Sequence, residues 1–173
     1  MQRSTKWCGW SLALSLAGCT PALNWRETQP PESGAVVMFP CKPDRFARSV
    51  TLGPEQVQMF LSSCSADGVT YALAHAELDN PANITASLDA LRSAAALNVG
   101  GQATVLSPMR VAGMTPHPLA ERLAVQGRRA EGGVLHEEMG VFTRGRRVYQ
   151  ATVIGDTLDA QASDTFFAGL RLP

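Results

Sequence analysis

A chain of 173 residues with 15 basic and 15 acidic side chains carries no net charge, so it lacks the basic excess by which nucleic-acid binders recognise phosphate. Its length fits one domain with a substantial hydrophobic core. The first stretch is a positive start, with Arg3 and Lys6, followed by an apolar run from Trp7 to Leu16 that closes on Leu16-Ala17-Gly18-Cys19. A run of about ten residues is too short to span a bilayer, which needs about 20. Residues 1–18 therefore read as a removable secretory signal. Cys8 sits in its apolar centre as a small hydrophobe that leaves with it. Removal takes two basic and no acidic side chains, so the mature part is slightly acidic.

Leu16-Ala17-Gly18-Cys19 resembles a bacterial lipobox. The resemblance implies that Cys19 receives diacylglycerol on its thiol and, after cleavage, a third acyl chain on its amine. Several chains on one residue anchor stably, because each buried CH₂ adds about 0.8 kcal/mol. Thr20 follows the cysteine in place of the Asp that favours inner-membrane retention. The resemblance thus points to the outer membrane, periplasmic face, with the membrane itself as a partner through the lipid on Cys19.

Residues 19–34 hold Pro21, Pro30, Pro31 and Gly34 and read as a tether between lipid and domain. Asn24-Trp25-Arg26-Glu27 interrupts it. A Trp is costly to leave in water, so Trp25 either docks on the domain or sits at the lipid surface. Residues 35–173 read as one domain. Ala35 to Phe39, Val50 to Leu52, Val57 to Cys64 and Val69 to Leu78 read as strands of a meander, with Cys41-Lys42-Pro43-Asp44 and Ala66-Asp67-Gly68 as turns. Val57, Met59 and Leu61 share one face.

Asn80-Pro81 announces a helix, with Asn as the cap and Pro at the first helical position. Ile84, Leu88, Leu91 and Ala95 form its apolar stripe, and Asn98 and Gly100-Gly101 end it. Ala103 to Ala112 reads as a strand interrupted at Ser107-Pro108. Leu119 to Arg128 places Leu123 and Val125 on one face. Val134 to Thr143 sets Leu135, Met139 and Val141 opposite His136 and Glu138. Arg147 to Ile154 completes a hairpin around Arg144-Gly145-Arg146. This alternation predicts a sheet with one covered face. Asp156 to Gly169 reads as a short helix with Leu158, Ala162 and Phe166 on one side, and Leu170 and Leu172 pack down the tail.

The expected architecture is α+β: an antiparallel sheet with one long central helix and one short C-terminal helix. The closing unit, Val148 to Gly155, a helix around Phe166-Phe167 and Leu170-Arg171-Leu172, resembles that of the PsbP-like fold, also found in small bacterial envelope lipoproteins of the DcrB type. The resemblance covers roughly residues 119–173. It implies binding or assembly accessories rather than a shared chemistry, and fold carries function poorly.

Cys41 and Cys64 remain after Cys8 departs and Cys19 is lipidated. In an oxidising compartment such a pair is expected to form a disulfide; a metal or redox pair is the alternative, without C-x-x-C spacing. The histidines are His75, His117 and His136. His136-Glu137-Glu138 is not H-E-x-x-H, but His136 and Glu138 share a face and meet His75 if their strands are adjacent. No G-x-S-x-G, Walker A or dinucleotide glycine pattern occurs, and Glu137 and Glu138 point to opposite faces. Arg128-Arg129 and Arg144, Arg146 and Arg147 are expected at one end of neighbouring hairpins, either to meet phospholipid head groups or an acidic partner, or simply as solvated turn residues whose charge Glu131 dilutes. The sequence thus predicts a lipid-anchored, non-catalytic binding or assembly accessory without cofactor or metal. Its partner is an envelope protein or a small ligand, with no nucleic acid. The competing class is an envelope enzyme with a site around His75, His136 and nearby carboxylates, which a deep pocket gathering those groups would mark.

Overall fold

The computed structural model describes residues 23–129 and 132–173; the expected 1–18 signal, the lipobox-like Leu16–Cys19 stretch and Cys19 itself lie outside the described residues. The elements follow in the order β1 (Arg26–Thr28), β2 (Val37–Phe39), β3 (Asp44–Leu52), β4 (Glu55–Ala66), β5 (Val69–Glu77), α1 (Ile84–Val99), β6 (Gln102–Pro108), β7 (Glu121–Arg128), β8 (Val134–Arg144), β9 (Arg147–Gly155) and α2 (Ala160–Ala168). Seven strands form one sheet in the order β3-β4-β5-β9-β8-β7-β6, and every neighbouring pair is antiparallel. Two meanders meet at β5 and β9. They meet because α1 carries the chain from the middle of the sheet to its far edge, from which β6 to β9 wind back. The domain is mixed α+β with more sheet than helix.

The helix begins as its sequence predicts. The Asn80 carboxamide oxygen accepts the Ala82 N–H at 3.0 Å, and Pro81–Asn83 forms one 3₁₀ turn before Ile84 turns α-helical. Glu55, at the start of β4, adds a tie that crosses the sheet: its carboxylate accepts the N–H groups of Asp79 and Asn80 at 2.9 and 3.2 Å. Gly100, at φ 62°, closes the C-terminus in the left-handed conformation that costs glycine least. α2 is capped by Asp159, whose carboxylate accepts the Ala162 N–H at 2.7 Å.

The core has two halves, one on each face of the sheet. Leu88, Leu91, Ala95 and Val99 of α1 pack on Ala76, Leu123, Val125, Met139, Val141 and Val148. On the opposite face, Phe166 and Phe167 of α2 and Val37 and Phe39 of β2 pack on Tyr71, Leu73, Phe142, Tyr149, Ala151 and Val153. The expectation of one covered face is therefore corrected: the central strands are covered on both. Val148 and Tyr149 show why, since adjacent residues of β9 are buried in different halves of the core.

Two further expectations change. The described part of the tether is built into the domain: β1 pairs with β2, Ser33 is buried, and Trp25 packs edge-on against Tyr71, centroids 5.6 Å apart. The Pro30-Pro31 stretch is a docked turn, held by the Ser33 hydroxyl donating to the Pro30 carbonyl at 2.6 Å. The second change is β3, which starts at Asp44, well before Val50. As an edge strand it is exposed along most of both faces, so no apolar alternation announces its first half.

Candidate functional site

Beyond α2, the same face of the sheet is left open over β6, β7 and β8, and there lies a hollow of about 800 Å³. Its floor is two cross-strand rows. Gln102, Gln126 and His136 form one, and Thr104, Ala124 and Glu138 the other, each set by the antiparallel register. Thr157 and Leu158, on the segment leading into α2, form the rim. One same-face position beyond Ala124 on β7 stands Arg122. Its Nε donates to Glu138 at 2.9 Å, a terminal nitrogen donates to Asp164 of α2 at 2.7 Å, and its guanidinium lies 4.3 Å from the centroid of the Phe167 ring. Arg122 thereby ties α2 to the sheet and occupies the Glu138 carboxylate. What the floor offers a ligand is chiefly amides, hydroxyls and one imidazole, groups that exchange hydrogen bonds with a polar surface.

The outer wall of the hollow is β6, an edge of the sheet. All seven of its residues are exposed and none is charged. A bulge between Val105 and Ser107 interrupts its pairing with β7. The opposite edge, β3, carries Asp44, Arg45 and Arg48, the charges that discourage another strand from adding on.

His136 and Glu138 share a face, as their spacing predicts, but His75 is not brought to them. β9 lies between β5 and β8, and His75 is aligned through Tyr149 with Phe142 rather than with His136. Six residues of strand separate those rows, about 20 Å at 3.3–3.4 Å per residue. His75 is instead a core residue, 3% exposed. It stands in an aromatic row of Phe60, His75, Tyr149 and Phe142, in which Phe60 stacks on His75 and Phe142 on Tyr149. Burial, with a smaller contribution from the Arg147 charge, lowers its pKa to about 4. The Tyr149 hydroxyl donates to the Ser33 carbonyl at 2.7 Å, and burial raises its pKa.

Glu137 borders the hollow, but strand alternation turns its side chain toward α1, between Val125 and Ile154 on the neighbouring strands. It is buried, and desolvation raises its pKa to about 7. His117 is engaged in its own loop, where Nδ1 accepts the Leu119 N–H at 3.1 Å. Among the described residues no group of three His, Cys, Asp or Glu is placed to hold a metal ion. The Cys41 and Cys64 sulfurs are at disulfide distance, with Cα atoms 5.9 Å apart.

The five arginines do not gather. Arg128 is paired with Val134 at the start of β8, while Arg144 and Arg147 flank the turn at its far end. Successive turns of a meander fall at opposite ends of its sheet, and this separates the two groups. At the far end, Arg146 and Arg147 each reach one oxygen of Glu77 at 2.7 Å, which holds that carboxyl below its ordinary range, chiefly through the Arg147 hydrogen bond.

Gln102, Thr104 and Gln126 are site residues that the sequence does not single out. Their one signal is that they fall on the polar side of the strand alternation, and it acquires meaning only once β6 is known to pair with β7. No protein-family model and no curated protein matches the chain. Among the described residues no helix is long and apolar enough to cross a membrane.

Proposed function

We propose that the protein is a lipid-anchored binding or assembly accessory of the bacterial envelope, held at the periplasmic face of the outer membrane by acyl chains on Cys19, and that it acts by recognition rather than catalysis. The observation that carries this reading is the open hollow over β6–β8, lined mainly by neutral hydrogen-bonding groups beside an uncharged sheet edge. Such a surface suits an envelope protein or a small polar ligand, which it would hold by many exchanged hydrogen bonds around a modest apolar area. The antiparallel sheet, crossover helix and closing β9–α2–Leu172 unit support reading the fold as PsbP-like.

A photo-activated crosslinking side chain placed at Thr104 or His136 of the full chain, in cells, tests the surface against the same side chain at Asp89 on α1. Discrete adducts from Thr104 and His136, with none from Asp89, are expected. Adducts from Asp89 alone, or none from any of the three, would overturn the assignment of the hollow.

A further inference from the structure

The chain leaves the proposed lipid at a defined place on the domain. Three residues separate Cys19 from Leu23, and a fully extended chain spans that step in about 14 Å. From there the backbone is fixed: the Asn24 N–H donates to the Pro40 carbonyl at 2.9 Å, and β1 pairs with β2. Lys42 and the start of β3 follow directly on Pro40. Whatever surface surrounds Leu23, Pro40 and the first half of β3 is therefore held within a short reach of any bilayer that holds Cys19.

That surface has the chemistry of a lipid-facing one. Lys42, Arg45 and Arg48 are exposed on it, and Phe46 between them is 60% exposed. Among the described residues these three cations make no ion pair. Six of the other ten described arginines, Arg92, Arg122, Arg129, Arg146, Arg147 and Arg171, do. Phe46 and Arg48 project from one face of this edge strand and Arg45 from the other, with exposed Asp44 among them, so the sheet edge is what presents them together: set edge-on to a layer of anionic head groups, its cations reach phosphate and the ring enters the interface. A lipid anchor combined with basic side chains holds more firmly than either alone.

We infer that Lys42 and the first half of the β3 edge, Asp44 to Arg48, form the membrane-apposed surface of this domain and bind anionic phospholipid head groups. The inference rests on the Cys19 anchoring read above. It fixes the pose: α1 and the Arg146–Gly145 turn stand away from the bilayer, while β3 lies on it.

The test uses the full chain purified from membranes and reconstituted in vesicles of phosphatidylethanolamine with phosphatidylglycerol. Mass analysis of the N-terminal peptide first shows whether Cys19 carries lipid. A fluorophore on Ala47→Cys is then compared with one on Asp89→Cys for quenching by head-group spin-labelled lipid. Several-fold stronger quenching at residue 47 is expected. Reversing the charges in Arg45→Glu/Arg48→Glu should abolish that excess while leaving the thermal midpoint unchanged. Equal quenching at the two sites on lipidated protein, or an excess that survives charge reversal, overturns the inference and leaves the anchoring intact. If Cys19 carries no lipid, the anchoring reading fails by itself. The surface is then judged by co-sedimentation with phosphatidylglycerol vesicles, and binding no stronger than to phosphatidylcholine vesicles overturns it.

Discussion

The Phe60 and His75 rings stack with centroids 5.2 Å apart and planes 17° from parallel, and the contact leaves His75 Nε2 buried with no hydrogen-bond partner among the described residues. A neutral imidazole tolerates that setting and a charged one does not. The unfolded chain takes up a proton below about 6.5, whereas the folded one refuses it until about 4. His75 therefore removes stability as pH falls from 6.5 toward 4. Glu137 acts in the other direction: the folded carboxyl keeps its proton up to about 7, and the unfolded one releases it near 4.5. Its contribution is lost as pH rises from 4.5 to 7. The two slopes oppose each other over most of the same range. His75→Phe should leave a protein whose stability falls as pH rises from 4.5 to 7. Glu137→Gln should leave one whose stability rises from pH 4 to 6.5 and that exceeds the parent above pH 7 by on the order of 3 kcal/mol. Urea midpoints across pH 4–8 measure both, and unchanged profiles in both variants would refute the assignment.

Leu88 and Leu91 put the middle of α1 against the sheet, and both are buried. Leu88→Ala or Leu91→Ala should each cost about 2–5 kcal/mol, from lost transfer energy and the cavity left behind. Chemical denaturation gives the number. A cost under 1 kcal/mol at both positions would mean that this helix does not hold the α1 half of the core.

Gly127 and Val99 set how closely α1 approaches the sheet. A Cβ on Gly127 would lie 1.8 Å from the Val99 carbonyl oxygen, which is backbone and cannot turn aside. A Cβ on Gly140 would meet the Met109 thioether at 2.6 Å, a flexible group that can move. Gly127→Ala should therefore cost at least the roughly 3 kcal/mol at the upper end of overpacking effects, and Gly140→Ala clearly less. Thermal unfolding of the two variants side by side decides it, and the reverse order would contradict the packing.

What the sequence made legible follows from where each residue is buried. The α1 stripe, the Asn80 and Gly100 ends, and the alternation of β7, β8 and β9 are local patterns, and the structure reproduces them. The first half of β3 carries Arg45, Phe46, Ala47 and Arg48 in the open, so there is no alternation to find. The Pro30-Pro31-Glu32-Ser33-Gly34 stretch has the composition of a linker. It is a turn with positive φ at Glu32 and Gly34, stapled by Tyr149 and Arg147 to the Ser33 carbonyl more than a hundred residues away in sequence. The hollow is a matter of register: Gln102, Gln126 and His136 become neighbours through pairings between three strands. The same holds for the separation of His75 from His136, which depends on α1 delivering the chain to the far edge so that β9 closes against β5.

The proposed Cys19 anchor has its own expected outcome. Cys19→Ala should block lipidation and leave an unprocessed or mislocalised precursor. Metabolic labelling with a clickable fatty acid reads this directly, and label retained by the variant would remove Cys19 as the acceptor.

Cys41 and Cys64 join the start of the domain to its sheet. Cys41 follows Pro40, whose carbonyl holds Asn24, and Cys64 lies on β4 opposite Tyr71 of β5, the residue on which Trp25 rests. A bond between them closes a sequence separation of 23 residues, worth roughly 3 kcal/mol in the chain-entropy description. Its effect should be uneven. The β8–β9 hairpin is buried in the middle of the sheet and is held without it. Residues 35–64 include the edge strand β3, which pairs on one side only. Hydrogen exchange on the Cys41→Ser/Cys64→Ser variant should therefore show faster exchange in residues 35–64 than in residues 134–155, relative to the parent. Thiol counting on protein from an oxidising compartment, without reductant, should find neither cysteine free. Two free thiols would show that the pair is held unbonded, and equal acceleration in both segments would show that the bond stabilises the domain as a whole rather than pinning its entry.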